Sequence, residues 1–235
     1  MKHTFFIKDW LNSFLSLLFP HCCVVCGRPL AKGEECLCIM CNINLPRTNY
    51  HLRKDNPVER FFWGQIPLER ATSFFFYRKG SDFRQILHQL KYGGKKEVGI
   101  IMGRYMAAEL SDSGFFEGVD VIIPIPLHKK KQQIRGYNQS ECIARGIAAV
   151  TGITVCVESV VRRKNTETQT RKSVFERWEN VDGIFELNHA DSLTGKHILI
   201  VDDVLTTGAT IIACASRLVE VEGTRTSVLT LAMAD

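Results

Sequence analysis

No window of this 235-residue chain holds 18 or more uninterrupted apolar residues, so no membrane-spanning helix is expected. No GxxxxGK[ST] loop occurs either. The nearest approach, KYGGKKE at 91–97, lacks both the spacing and the hydroxyl, which removes a P-loop nucleotide site. A GxGxxG fingerprint is also missing, and with it the usual dinucleotide fold. There is no low-complexity tract, and no repeat beyond two CxxC units. Charge of one sign is not in large excess. A net +5 permits an anionic ligand or a nucleic acid without demanding one. The opening MKHTFFIKDWLNSFLSLLFP lacks the small-residue cleavage site of a signal peptide, and Lys8, Asp9 and Asn12 break its apolar run.

That opening has a pattern of its own. Phe6, Trp10, Phe14, Leu17 and Leu18 fall on one helical face, which predicts an amphipathic helix over about 4–18. Such a helix would dock on its own domain, on a membrane surface or on a partner. A cytoplasmic location follows, with peripheral attachment at the inner membrane as the variant.

Cysteine is plentiful, with nine in all, six of them between 22 and 41. In a reducing compartment that clustering favours metal over disulfides. Cys23 and Cys26 form one CxxC, Cys38 and Cys41 the other, with eleven residues between. Two such pairs can close a tetrahedral cage, so zinc is expected in a structural role. Gly27 follows the first pair, where a knuckle needs positive φ, and Asn42 after the second could tolerate the same conformation. Cys22 and Cys36 are surplus, and either could replace one of the four. Cys142, Cys156 and Cys214 are expected as ordinary thiols.

Four stretches emerge: a helix over 1–19, the cysteine module over 20–45, a charged linker over 46–70 with Pro46 and Pro57, and an α/β domain over 71–235. Within the last, strands are predicted at 71–78, 119–126, 153–161, 183–187, 197–201 and 226–233. Helices are predicted after a Ser81 cap, over 95–110, over 138–150 with Asn138 as cap, and over 209–221. Residues 129–135 read as a basic loop and 162–182 as a long polar one. Strand alternating with helix means a mostly parallel sheet with helices on both faces.

The run HILIVDDVLTTGAT (197–210) carries the chemistry. Asp202 and Asp203 stand where a parallel strand opens into a ligand crevice. The turn that follows offers the hydroxyls of Thr206, Thr207 and Thr210. Gly208 lets a ligand approach the backbone, and the amides of a helix start face an anion. Acceptors beside phosphate donors suit a sugar phosphate. A receiver domain would place its acid pair near the domain start, whereas only 32 residues follow Asp203.

Residues 198–210 resemble the PRPP loop of type I phosphoribosyltransferases at every position. The resemblance implies that Asp202 and Asp203 bind the ribose hydroxyls, and that PRPP is held by Val201, Asp202, Asp203, Val204, Leu205, Thr206, Thr207, Gly208, Ala209 and Thr210. Magnesium would bridge ribose and pyrophosphate oxygens. Lys129, Lys130, Lys131 and Arg135 could face the pyrophosphate, and Arg162 and Arg177 could close over the site from the long loop. With LKYGGKKE, RGYNQ and the cysteine module, the order along nearly the whole chain is similar to the ComF competence family. That family joins a zinc ribbon to a type I phosphoribosyltransferase-like domain. One departure is QTRKS at 169–173, where the family more often has Leu before Ser or Thr. The resemblance implies a role in DNA uptake or use of external DNA. Single-stranded DNA, partner proteins of an uptake complex and a homodimer come with that reading. The alternative is a phosphoribosyltransferase of nucleotide salvage, or of another small acceptor, with no part in DNA uptake.

Overall fold

A computed structural model describes residues 21–163 and 183–234. The stretch predicted as an N-terminal helix, and Arg177 with most of the predicted polar loop 162–182, lie outside the described residues. Among the described residues no helix is long and apolar enough to cross a membrane.

The described residues form seven strands: β1 (Arg70–Tyr77), β2 (Val121–Pro124), β3 (Thr154–Val155), β4 (Val160–Arg162), β5 (Phe185–Leu187), β6 (His197–Leu205) and β7 (Arg225–Ala234). Five form a parallel sheet in the order β1-β7-β6-β2-β3. Its centre is a run of fully buried branched residues, including Ile198, Leu199, Ile200 and Val201 on β6. Near-continuous apolar strands of this kind need cover on both faces. On one face lie α3 (Arg84–Tyr92), α4 (Lys96–Ser111) and α6 (Gln139–Thr151), packed over Leu199, Val201 and Leu229. On the other lie α2 (Pro57–Phe62) and α7 (Ala209–Leu218), over Ile198, Ile200 and Val228.

The helices α4 and α6 meet through glycine. A Cβ on Gly103 would fall 2.2 Å from the Ile143 carbonyl oxygen, and one on Gly146 would fall 2.1 Å from that of Ile100. Two helices this close leave no room for side chains at the crossing, so both positions are closed to any larger residue.

Several expectations are corrected. The predicted strand 153–161 is two strands. Cys156 donates its amide to the Ile122 carbonyl at 2.9 Å, the chain then bends, and β4 pairs antiparallel with β5 in a separate ribbon. The GIFEL segment therefore lies outside the parallel sheet. Ser81 is not the cap of α3. Phe83 holds the cap position, and the Ser81 hydroxyl accepts the Phe83 amide at 3.3 Å one turn earlier. The basic stretch 129–135 is a helix, α5 (Lys129–Arg135), started by His128 and ended by Gly136 at φ 79°. Asn42 lies inside the short helix α1 (Ile39–Ile43), with no positive φ. β6 continues through both aspartates to Leu205.

Residues 46–70 carry structure that their charge conceals. Asn56 and Glu59 form a reciprocal capping box at the start of α2. The Asn56 amide also donates to the Ala71 carbonyl at 2.9 Å, and Val58 and Phe62 are fully buried.

Candidate functional site

The cysteine module folds around its two CxxC turns. Gly27, at φ 73°, donates its amide to the Cys23 carbonyl and closes the first knuckle, as its position predicts. In the second, the Cys41 amide donates to Cys38 Sγ at 3.4 Å. The four sulfurs of Cys23, Cys26, Cys38 and Cys41 lie within 4.8 Å of one another, and Cys26 and Cys38 are 3.8 Å apart. A tetrahedral zinc with Zn–S of about 2.3 Å has edges of about 3.8 Å, so this donor set could hold such an ion. Burial works to raise the Cys23 thiol, but backbone hydrogen bonds at Cys26, Cys38 and Val25 outweigh it and bring it down to about 7. Cys41 is pushed up, by burial and then by its bonds to Cys38, Cys26 and Cys23. One thiolate therefore forms readily beside a Cys41 thiol that is held protonated, a conflict that a cation resolves. Cys22 is exposed, and Cys36 is turned away, its thiol buried 4.0 Å from Met102 Sδ. Burial pushes Cys36 up to about 12, which keeps it a neutral core residue.

The module sits against the sheet's helical layer. Cys36, Leu37 and Leu45 join the same apolar cluster as Phe74, Phe75 and Met102. Arg104 pairs with Glu35 at 2.5 Å, and Arg47 with Glu109 at 2.6 Å.

The second site lies at the carboxyl ends of the parallel strands. Asp202 and Asp203 have separate partners. Ser140 Oγ donates to Asp202 Oδ1 at 2.9 Å, as does the Asp203 amide at 2.8 Å. Asp203 instead receives Lys91 Nζ at 3.1 Å, in a pair that is largely shielded from solvent. Burial, and then the neighbouring Asp203, push Asp202 up to about 7, although both hydrogen bonds and Lys91 pull the other way.

The RGYNQS segment (135–140) is fastened residue by residue. Gly136 ends α5, and the Tyr137 hydroxyl donates to the Leu90 carbonyl at 2.7 Å. Asn138 caps α6 through the Ser140 amide and donates to the Ile125 carbonyl at 2.9 Å. The buried Gln139 accepts from Arg135 at 2.9 Å. These bonds fix Ser140 against Asp202, and Arg135 near the crest formed by the carboxyl ends of the parallel strands. Of the four expected pyrophosphate cations, Lys131 and Arg135 turn inward and Lys129 and Lys130 face solvent. Burial, then Arg162, Arg135 and Lys91 in turn, push the Lys131 ammonium down. Arg162 on β4 is pushed down by burial, and its attraction to Asp202 opposes that. Four cations thus crowd one rim of the acid pair, an arrangement that an anion would relieve.

Thr206 and Thr207 are exposed, and Gly208, at φ 64°, takes the cap position of α7 with no side-chain cap. The first amides of that helix are left for an outside acceptor. Gly208 also has a role that was not foreseen. A Cβ there would fall 2.3 Å from Phe61 Cε1 and 3.2 Å from Phe62 Cε1, so the turn is moulded against α2. Sequence reasoning missed Lys91, Ser140 and Gln139 as site residues. Lys91 and Gln139 stand inside LKYGGKKE and RGYNQ, two of the segments that carry the family resemblance, and Ser140 directly follows the second.

Comparison with known proteins agrees with this geometry. The family model described as a phosphoribosyl transferase domain matches residues 137–233. The DNA utilization protein YhgH of Shigella flexneri is 29% identical over 217 residues, 86% of this chain and 92% of that protein. The competence protein ComFC of Bacillus subtilis strain 168 is 26% identical over 213 residues, 89% of this chain and 76% of that protein. Competence protein F of Haemophilus influenzae is 33% identical over a shorter stretch, 39% of this chain and 41% of that protein. A four-cysteine cluster set before a parallel sheet thus goes with similarity, over most of the chain, to proteins named for DNA utilization and competence.

Proposed function

We propose that the crest binds PRPP or a closely related sugar phosphate, with magnesium. The observation that carries this is the juxtaposition of Asp202 and Asp203 with the Thr206–Thr210 turn on one side and Lys91, Lys131, Arg135 and Arg162 on the other. The carboxylates take the ribose hydroxyls, the amides and hydroxyls of 206–210 take the 5′-phosphate, and the cations take the pyrophosphate. Magnesium, a hard ion, suits the carboxylate and phosphate oxygens there and would neutralise the leaving group. The Cys23, Cys26, Cys38 and Cys41 cluster holds zinc as a structural staple, with no ligand position left for chemistry. Calorimetry with magnesium and PRPP tests the crest. The parent protein should bind, and the double change Asp202→Ala with Asp203→Ala should abolish binding. Unchanged affinity would sink the assignment.

The names of the relatives bring the second part of the reading, a role in the use of external DNA. Lys129 and Lys130 are exposed on α5, next to the inward-facing cations, and could track phosphates of a single strand. If so, affinity for an oligonucleotide should fall steeply with salt, and neutralising both lysines should flatten that slope. Binding indifferent to salt would rule this role out for α5.

A further inference from the structure

Beside the acid pair the crest opens into a cleft of about 420 Å³, within the size range of small-ligand sites. Arg84, Leu87, His88 and Lys91 of α3 form one wall, and Tyr77 and Thr206 at the ends of β1 and β6 form part of the other. Two of these residues already belong to the neighbouring site. Lys91 holds Asp203, and Thr206 opens the phosphate turn. The cleft is therefore continuous with the place where the ribose would lie. Lys131, Arg135 and Arg162 do not line it, whereas Lys91 borders both the cleft and the cation rim and Arg135 lies over the ring of Tyr92 at 5.5 Å, so the cleft adjoins the place of the leaving pyrophosphate.

The lining has a definite chemistry. Leu87 and Val204 supply apolar lining, and Tyr77 and Tyr92 add aromatic rings, with His88 5.4 Å and the Arg135 guanidinium 5.5 Å from the ring of Tyr92. Among the described residues no carboxylate lines the cleft, whereas the basic side chains of Arg84 and Lys91 do. Lys91 is engaged by Asp203. Arg84 donates to the Lys79 carbonyl at 3.0 Å and, among the described residues, has no carboxylate partner. An apolar slot with one uncommitted guanidinium at its wall suits a ring that carries a negative charge.

We propose that this cleft is the acceptor subsite and that it takes a planar aromatic acid, with the carboxylate on Arg84 and the ring between Tyr77 and Leu87. This rests on the PRPP reading of the adjoining crest. In the transfer, a nitrogen of the acceptor gives its electron pair to ribose C1′, and a new N–C1′ bond forms. The C1′–O bond to pyrophosphate breaks, and that bond's electrons leave with the pyrophosphate. Any proton on the attacking nitrogen passes to water.

Nicotinate and nicotinamide, a matched acid and amide, test the proposal by NMR titration of the full chain, with and without magnesium and PRPP. The acid should bind about tenfold more tightly than the amide, the scale of one charge-assisted hydrogen bond. Arg84→Gln should erase that preference, and Gln85→Trp, on the cleft wall, should exclude both probes. Acid and amide binding equally, no binding of the acid, or binding untouched by Gln85→Trp would each overturn the proposal. PRPP binding is measured alongside without probe. If PRPP binds but the acid shows no preference, the cleft assignment alone fails. If the acid binds selectively but PRPP does not, the crest reading fails and takes the acceptor role with it.

Discussion

Two places in this molecule crowd groups that repel one another when charged, and they are built in opposite ways. The cysteine cluster draws four thiols from two turns within 19 residues, between Cys23 and Cys41. The acid pair draws its partners from across the fold: Lys91 on α3, Ser140 on α6 and Arg162 on β4. A local cluster depends on spacing. A distributed one depends on the whole sheet being correctly layered. With zinc bound as proposed, the first should therefore fail by losing its ion, and the second by losing its geometry.

The largest effect is expected at the cysteines. Cys23→Ser with Cys41→Ser should reduce metal content from one zinc per chain to none. Because binding at a structural zinc site is worth on the order of 10 kcal/mol, the module should unfold and thermal melting should drop sharply. Metal analysis and calorimetry check this. Retention of one zinc in that variant would show that another ligand set is used.

The crest should instead respond to pH. Asp202 is raised to about 7 in the folded protein, well above the ordinary value of an unfolded carboxyl. The folded state therefore holds a proton that the unfolded state releases, so Asp202 costs stability progressively as pH rises from about 4 to about 7. Asp202→Asn should raise the melting temperature at pH 8, and the difference should vanish toward pH 4. A constant difference across that range would mean that Asp202 is not held protonated.

Gly208→Ala probes the shape of the turn. Positive φ and the Phe61 ring each oppose a Cβ, and together they should cost about 2–4 kcal/mol. Phe61→Ala in the same chain should recover the part due to the clash, and denaturant unfolding of the pair measures it. The smallest effect should come from Lys91→Met, which leaves Asp203 without its cation. This should cost about 1–2 kcal/mol, less than for a fully buried pair. A comparable loss from the exposed Arg145–Glu141 pair would erase the distinction between crest and surface.

How far each region could be read from sequence follows from the same contrast. The cysteine cage was legible because its ligands are close in the chain and their spacing is the geometry. The central strands were legible because burial on both faces leaves long apolar runs. The division of 153–161 was not, because β-branched residues suit the parallel sheet and the antiparallel ribbon equally. Nor was the structure in 46–70, where charges at exposed positions mask the buried Val58 and Phe62. At the crest, the acids and the turn stood out as one contiguous motif. Lys91 and Ser140 did not, since only the packing of α3 and α6 brings them there.

The position of β7 has a consequence for synthesis. This strand comes seventh in the chain yet lies between β1 and β6 in the sheet. Until residues 225–234 have left the ribosome, β1 and β6 have no common neighbour, and the aspartates stand on an unsupported edge. The cysteine module can close as soon as Cys41 emerges. The crest must wait for about 190 further residues and a pairing of very high sequence separation. A nascent chain arrested before β7 should therefore already take up zinc while remaining blind to PRPP.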